Sequence, residues 1–182
     1  MSLKLFLTSD LHLGMKFSTH PKVQGELAEA RFSTLSNLVK KANEEHCDLF
    51  MVAGDLFERV NVAKRDILRA AQTLREFEGS LVAVLPGNHD FISSGQNNLW
   101  ATFEESAENS VLVLKNKKVE PLKQYELNVN LYPAPCDAKH SCENNINWIR
   151  NESKDKDVQF HIGVAHGSLE GFSPDFEKIT FR

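Results

Sequence analysis

The chain lacks any apolar run long enough to cross a bilayer, and Leu3–Leu7 at its amino terminus is too short an apolar stretch for a signal peptide. Cysteine is scarce and odd in number. Cys47, Cys136 and Cys142 are scattered over 182 residues, which suits a reducing compartment better than a disulfide framework. Excess positive charge is also missing. With 21 Lys and Arg against 25 Asp and Glu, the net charge of −4 draws the molecule neither to nucleic acid nor to anionic membrane, so any contact with a polyanion must be local or metal-mediated. There is no internal repeat, no low-complexity segment and no linker long enough to divide the chain. These absences lead us to expect one globular domain over 1–182, cytoplasmic and without membrane association.

What is present alternates. Leu3 to Thr8, Leu49 to Ala53 and Leu81 to Leu85 read as strands, the last two as fully buried ones. Between them, Ala28, Phe32, Leu35, Val39 and Ala42, and then Ala63, Ile67, Ala70, Leu74 and Phe77, recur at helical spacing, with Gly79 as the expected stop for the second helix. This β-α-β-α-β order implies a parallel sheet with right-handed crossovers. The second half changes character. A short helix is expected over Gln96 to Glu105, and paired short strands over Val111 to Leu114 and Lys117 to Glu120. Half-buried strands of the antiparallel sort are expected around Tyr125 to Leu131, and alternation returns over Val158 to Val164. A helix is expected over Glu143 to Ser153.

Four strands run into potential metal ligands: Asp10 and His12, Asp55, Asn88-His89-Asp90, and His166. One Asp after a strand is ordinarily a cap or turn former. Four such endings, three of them flanked by Gly, point instead to a site at the carboxyl edge of a sheet. The Asp-x-His spacing puts two donors on one tight loop. Asp55 has two carboxylate oxygens and can bridge two ions, while Asn88 adds a neutral oxygen that limits the negative charge a phosphate must meet. Nitrogen and oxygen donors without thiolate suit manganese, iron or zinc and argue against a closed structural zinc site. Two ions about 3.5–4 Å apart can activate water and clamp a phosphoryl oxygen. His89 then falls beside them as a proton donor to a leaving oxygen, with Asp90 expected to orient it and favour its charged form.

The series Asp10-x-His12, Gly54-Asp55, Gly87-Asn88-His89-Asp90 and His166-Gly167 resembles the calcineurin-like metallophosphoesterases. The resemblance implies an α/β fold, a four-layer α/β/β/α sandwich of two mixed sheets flanked by helices. It also implies a two-metal site held by Asp10, His12, Asp55, Asn88 and His166, with His89 catalytic and Asp90 its partner. Ser9 to Gly14, Ala53 to Phe57 and Ala165-His166-Gly167 are similar to the SbcD-type DNA-repair exonucleases. That likeness implies two divalent ions, manganese first, with iron, zinc or magnesium as alternatives. It further implies DNA ends as substrate and a coiled-coil SMC-like ATPase as partner; a homodimer is the other assembly considered.

One part of the family pattern is missing. The closing Gly-His-x-His motif does not occur, since no histidine lies between Gly167 and Arg182. The expectation is a domain that is incomplete at its carboxyl end, binds the metal pair weakly and turns over slowly. His161, alternating with Phe160 and Ile162, is expected on the opposite face of its strand rather than as a substitute ligand. Cys136, His140 and Cys142 read as a loop, not a zinc site. Arg59 is a candidate phosphate contact or an exposed helix-start residue, the Lys115 to Lys118 cluster a solvated turn, and Trp100, Phe103 and Trp148 core residues. Three functions remain open: a phosphodiesterase of exonuclease type, a phosphatase or phosphodiesterase on a small molecule or phosphoprotein, and a weakly active partner-binding module.

Overall fold

The computed structural model describes residues 2–93, 99–108, 110–141, 143–169 and 180–181. Four parallel strands, β1 (Leu5–Thr8), β2 (Leu49–Ala53), β3 (Leu81–Leu85) and β4 (Val111–Val113), form the first sheet in the order β1-β2-β3-β4. Their crossovers carry α1 (Gln24–Glu44), α2 (Lys64–Leu74) and α3 (Leu99–Ala107). Right-handed connections through strands in sequential order put all three helices on one face. There Phe32, Leu35 and Val39 of α1, Ile67 and Leu74 of α2, and Trp100 and Phe103 of α3 share one core with Phe50, Val52, Val82 and Val84.

The alternate residues of the same strands face the other way. Leu49, Met51, Leu81, Ala83 and Leu85 pack on Leu127, Val129, Leu131 and Val164. Each of the Leu, Met and Val side chains contributes about 1.5–3 kcal/mol on full burial, so this face commits the first sheet to a second. That sheet has the order β5-β6-β7, with β5 (Glu120–Pro121) antiparallel to β6 (Val129–Ala134) and β6 parallel to β7 (Phe160–Ala165). All six residues of β6 are buried, which requires cover on both faces. On the outer face Trp148, from a 3₁₀ turn at Asn147–Asn151, stacks on Tyr132. A further pair, β8 (Ser168–Leu169) and β9 (Thr180–Phe181), is parallel. The expected α/β sandwich of two sheets is therefore present, with three helices among the described residues over a parallel sheet that packs on a mixed one; of the expected outer layer on the second sheet, the described residues show only the 3₁₀ turn.

Several local expectations are corrected. The first sheet is wholly parallel rather than mixed. Val111–Val113 and Glu120–Pro121 do not pair with each other: the former extends the first sheet beside β3 and the latter joins the second. Lys123–Tyr125 is a 3₁₀ turn closed by Glu126 at φ 63°, so the strand begins only at Val129. The segment expected as a helix at 143–153 reduces to the 3₁₀ turn. α2 ends at Leu74, before Gly79. Gly79 is needed instead for close packing, because a Cβ there would sit 2.3 Å from the Cys47 carbonyl oxygen. No helix among the described residues is long and apolar enough to cross a membrane.

Candidate metal centre

The strands of the first sheet end in step, with Thr8 opposite Val52 and Ala53 opposite Leu85. Their outgoing loops therefore share one edge. β7 of the facing sheet ends at Ala165 and delivers His166 to the same edge. One pocket of ≈ 700 Å³ is lined by Asp10, His12, Asp55, Asn88, His89 and His166.

The loops are tightly built. Asp10, His12 and Asp55 hold φ values of 57°, 46° and 53°, the left-handed region that costs a non-glycine residue about 1–2 kcal/mol. Backbone pairing fixes them there. Asp10 N–H donates to Gly54 O (3.1 Å), His12 N–H to Asp55 O (2.9 Å), and Leu13 N–H to Leu56 O (2.9 Å). Gly54 has φ +95°, and any Cβ on it would lie 2.2 Å from the His166 ring.

Asp55 is the centre of the arrangement. Its Oδ2 lies 3.3 Å from His166 Nε2 and 3.7 Å from His12 Nε2, while its Oδ1 accepts the His89 backbone N–H at 2.9 Å. His166 Nδ1 donates to the Ala53 carbonyl (2.9 Å), which leaves Nε2 facing Asp55 and, at 3.2 Å, Asn88 Oδ1. A carbonyl behind a histidine fixes which nitrogen is presented to an ion. Two groups of ligand atoms lie close enough to hold a cation, His12 with Asp55 and His89, and Asp10 with Asp55 and His166; Asp55 is common to both. Hard oxygen and borderline nitrogen donors fit divalent manganese, iron or zinc. Among the described residues no cysteine belongs to either group. Burial pushes the Cys136 thiol up to about 12, and its Sγ is directed at the His166 carbonyl (3.6 Å).

The charges of the pair are coupled. Burial, the largest influence on Asp55, raises its pKa, but the His166 hydrogen bond, the His89 N–H and the charge of both rings outweigh it and the pKa is lowered. For His166, burial disfavours the cation, yet the bond to Asp55, that carboxylate's charge and the Ala53 carbonyl raise its pKa to about 9. The stability this gives the metal-free protein is complete below pH 6.5 and fades as pH rises through 9. An ion must displace the His166 proton, so manganese affinity is expected to strengthen over the same window, with close to one proton released on binding at pH 7. Calorimetric titrations in two buffers of different ionisation enthalpy measure that proton; identical heats in both would contradict the assignment.

Not every expected site residue is in the pocket. Asp90 is fully buried below it, and its carboxylate does not meet the His89 ring. Oδ2 accepts from Phe57 N–H (2.9 Å) and Oδ1 from Gly87 N–H (2.7 Å), so the expected His89 partner is corrected to a tie between two ligand loops. Consecutive side chains leave the backbone in different directions, and His89 turns instead to Glu58, whose carbonyl accepts its Nδ1–H at 3.0 Å. Arg59 is exposed and lines a different groove, beside Lys16 and Asn61. His161 bonds to Tyr132 Oη (2.7 Å), away from the site as expected. Trp100 and Phe103 are core residues, clustered with Phe57. His140 is exposed, and Cys142 lies outside the described residues.

Glu58 is the residue that sequence reasoning passed over. Its Oε2 lies 3.1 Å from His12 Nδ1 while its carbonyl holds His89. The available signal was spacing. Leu56 and Phe57 are both fully buried, so Glu58 is the first acid after Asp55 able to turn back toward the ligands.

Comparison with known proteins agrees with this geometry. The model of the calcineurin-like phosphoesterase family matches residues 3–182. A Bacillus subtilis protein described as "Uncharacterized metallophosphoesterase YhaO" is 30% identical over 173 residues, covering 90% of this chain and 40% of the relative. The chain thus spans less than half of that relative's length. It belongs to the calcineurin-like phosphoesterase family, a family of hydrolases.

Proposed function

We propose that the chain is the catalytic core of a metal-dependent phosphodiesterase acting on DNA ends, in the manner of the SbcD-type exonucleases, and that manganese is its working metal. One observation carries the reading: two groups of potential ligand atoms, His12 with Asp55 and His89, and Asp10 with Asp55 and His166, share Asp55 in one pocket. Two divalent ions held there would supply an activated water and neutralise phosphoryl charge. The remaining chemistry belongs to the chain. With Nδ1–H committed to the Glu58 carbonyl, His89 has Nε2 left for the substrate, where its protonated ring can give a proton to the leaving oxygen. The neutral Asn88 oxygen adds a donor without repelling a diester. DNA ends are favoured by the wording of the Ser9 to Gly14 and Ala53 to Phe57 segments. The acidic net charge of −4 favours a separate partner, a coiled-coil ATPase, as the source of DNA affinity.

His89→Ala is expected to lower turnover of a chromogenic phosphodiester with manganese by about 10²–10⁴-fold, with melting temperature close to that of the parent and turnover not restored by saturating manganese. An equally active variant would remove His89 from the chemistry. Labelled linear duplex compared with a covalently closed circle tests the substrate. Degradation of the linear form alone supports end-directed action. Turnover of the small diester without attack on either DNA would favour the small-molecule reading instead.

A further inference from the structure

The loop from Ser9 to Phe17 carries two of the ligands and has four residues at positive φ: Asp10, His12, Gly14 and Phe17. One of its edges is held by backbone bonds to the Gly54 to Glu58 segment, including Glu58 N–H to Leu13 O at 3.0 Å. Those bonds belong to the main chain and no substitution removes them cleanly. From the side of α1 one polar side chain reaches the loop, whose Leu11 and Leu13 are also packed in the core. Arg31, in the second turn of α1, donates from Nη1 to the Leu11 carbonyl at 2.7 Å, between the two ligands. Its Nη2 reaches Met15 Sδ at 3.6 Å, and its guanidinium carbon lies 5.3 Å from the centroid of the Phe17 ring. A single planar group thus touches the loop at three points.

Arg31 is an unusual choice if only stability were at stake. It is half-buried, no carboxylate among the described residues pairs with it, and its Nε is buried without a hydrogen-bond partner. A cation withdrawn from water without a counter-ion weakens a fold unless its hydrogen bonds compensate. Those bonds go entirely to the ligand loop.

We infer that Arg31 is a positioning residue for the metal centre, holding the Leu11 carbonyl so that Asp10 and His12 keep a ligand geometry that the loop would not keep alone. This rests on the metal-dependent reading above. Outer partners of metal ligands commonly change affinity by about 10–100-fold. The neighbouring Arg69 provides a contrast. It joins α2 to α1 through Glu29 (2.7 Å) and lies 4.3 Å from the Phe32 ring centroid, and among the described residues no hydrogen bond or ion pair ties it to a ligand loop.

The test is manganese titration of folded parent, Arg31→Met, Arg31→Lys and Arg69→Met proteins, followed by the free-ion electron paramagnetic resonance signal, with melting temperature and circular dichroism recorded for each. The expected result is a dissociation constant raised about 10–100-fold in Arg31→Met and by a smaller factor in Arg31→Lys, which keeps the charge but not the three-point contact. Arg69→Met should melt lower and bind manganese as the parent does. Should Arg31→Met not fold, Arg31→Lys decides. A folded Arg31 variant within twofold of the parent overturns the inference and leaves the metal reading standing. So does an equal loss of affinity in Arg69→Met, which would mark a general effect of loosening α1. A parent that takes up no manganese overturns both.

Discussion

Gly87→Ala is expected to weaken manganese binding by about a hundredfold and to cost about 1–3 kcal/mol of stability. A Cβ at this position would lie 2.2 Å from Asp55 Oδ1, 2.4 Å from Asp55 N and 2.9 Å from its Cγ. These are backbone and carboxylate atoms, not the tip of a flexible side chain, so the clash is relieved only by moving Asp55. That residue has little room to give. It sits at φ 53°, its carbonyl takes the His12 N–H, and its Oδ1 takes the His89 N–H. Because Asp55 belongs to both ligand groups, one displacement disturbs both. Gly25→Ala is the matched control. It lies in α1, a Cβ there meets nothing within 4 Å, and the change should add about 0.4–1 kcal/mol of stability without altering affinity. Manganese titration and thermal melts of the two variants check the pair. A Gly87→Ala protein binding within threefold of the parent would show that Asp55 can relax without consequence.

The parts of this molecule that could be read in advance are those where local pattern and long-range packing agree. The stripe Phe32, Leu35, Val39 and Ala42 is amphipathic at helical period, and the strand that follows is wholly apolar, so helix, strand and layer follow together. The ligands stand out for the same reason, as polar residues placed where apolar runs stop. Pairing beyond β3 was not legible, because nothing local tells Val111 to join β3 while Glu120 joins β6; that choice is settled by which sheet face each residue covers. The turn at Lys123–Tyr125 was hidden by an alternation of Tyr125, Leu127 and Val129 that mimics a strand across a left-handed residue. In the site, adjacency misled at Asp90 and distance concealed Arg31. Asp90 follows His89 directly yet points below it, and Arg31 lies twenty positions from Leu11, whose carbonyl it holds.

Asp90→Ala is expected to destabilise the metal-free protein by about 2–5 kcal/mol, because the Phe57 and Gly87 N–H groups would both be left buried and unpaired. For a chain of this length that is a fall in melting temperature of roughly 5–15 °C. The same carboxylate ties the loop after β2 to the loop after β3, while the Asp90 carbonyl accepts the Trp100 indole N–H at 2.6 Å and anchors both to α3. Burial raises the Asp90 pKa to about 7 against the pull of its two N–H partners, with the nearby Asp55 charge pushing the same way as burial. A raised carboxyl pKa contributes stability that is complete below pH 3.8 and is lost as pH rises through 7. Asp90→Asn, neutral at every pH, should therefore melt at a temperature that changes less between pH 4 and 7 than the parent's does. Its amide oxygen can accept from one N–H while its NH₂ opposes the other, which places its stability between parent and alanine variant. Melts at pH 4, 5.5 and 7 in the presence of chelator measure both effects, and a parent-like slope in Asp90→Asn would remove the titration from Asp90. The comparison also separates two roles. If Asp90 acted on the His89 ring, its loss would lower turnover at unchanged melting temperature. As a tie between ligand loops, its loss must lower the melting temperature and manganese affinity first, with turnover following affinity and recovering at saturating metal.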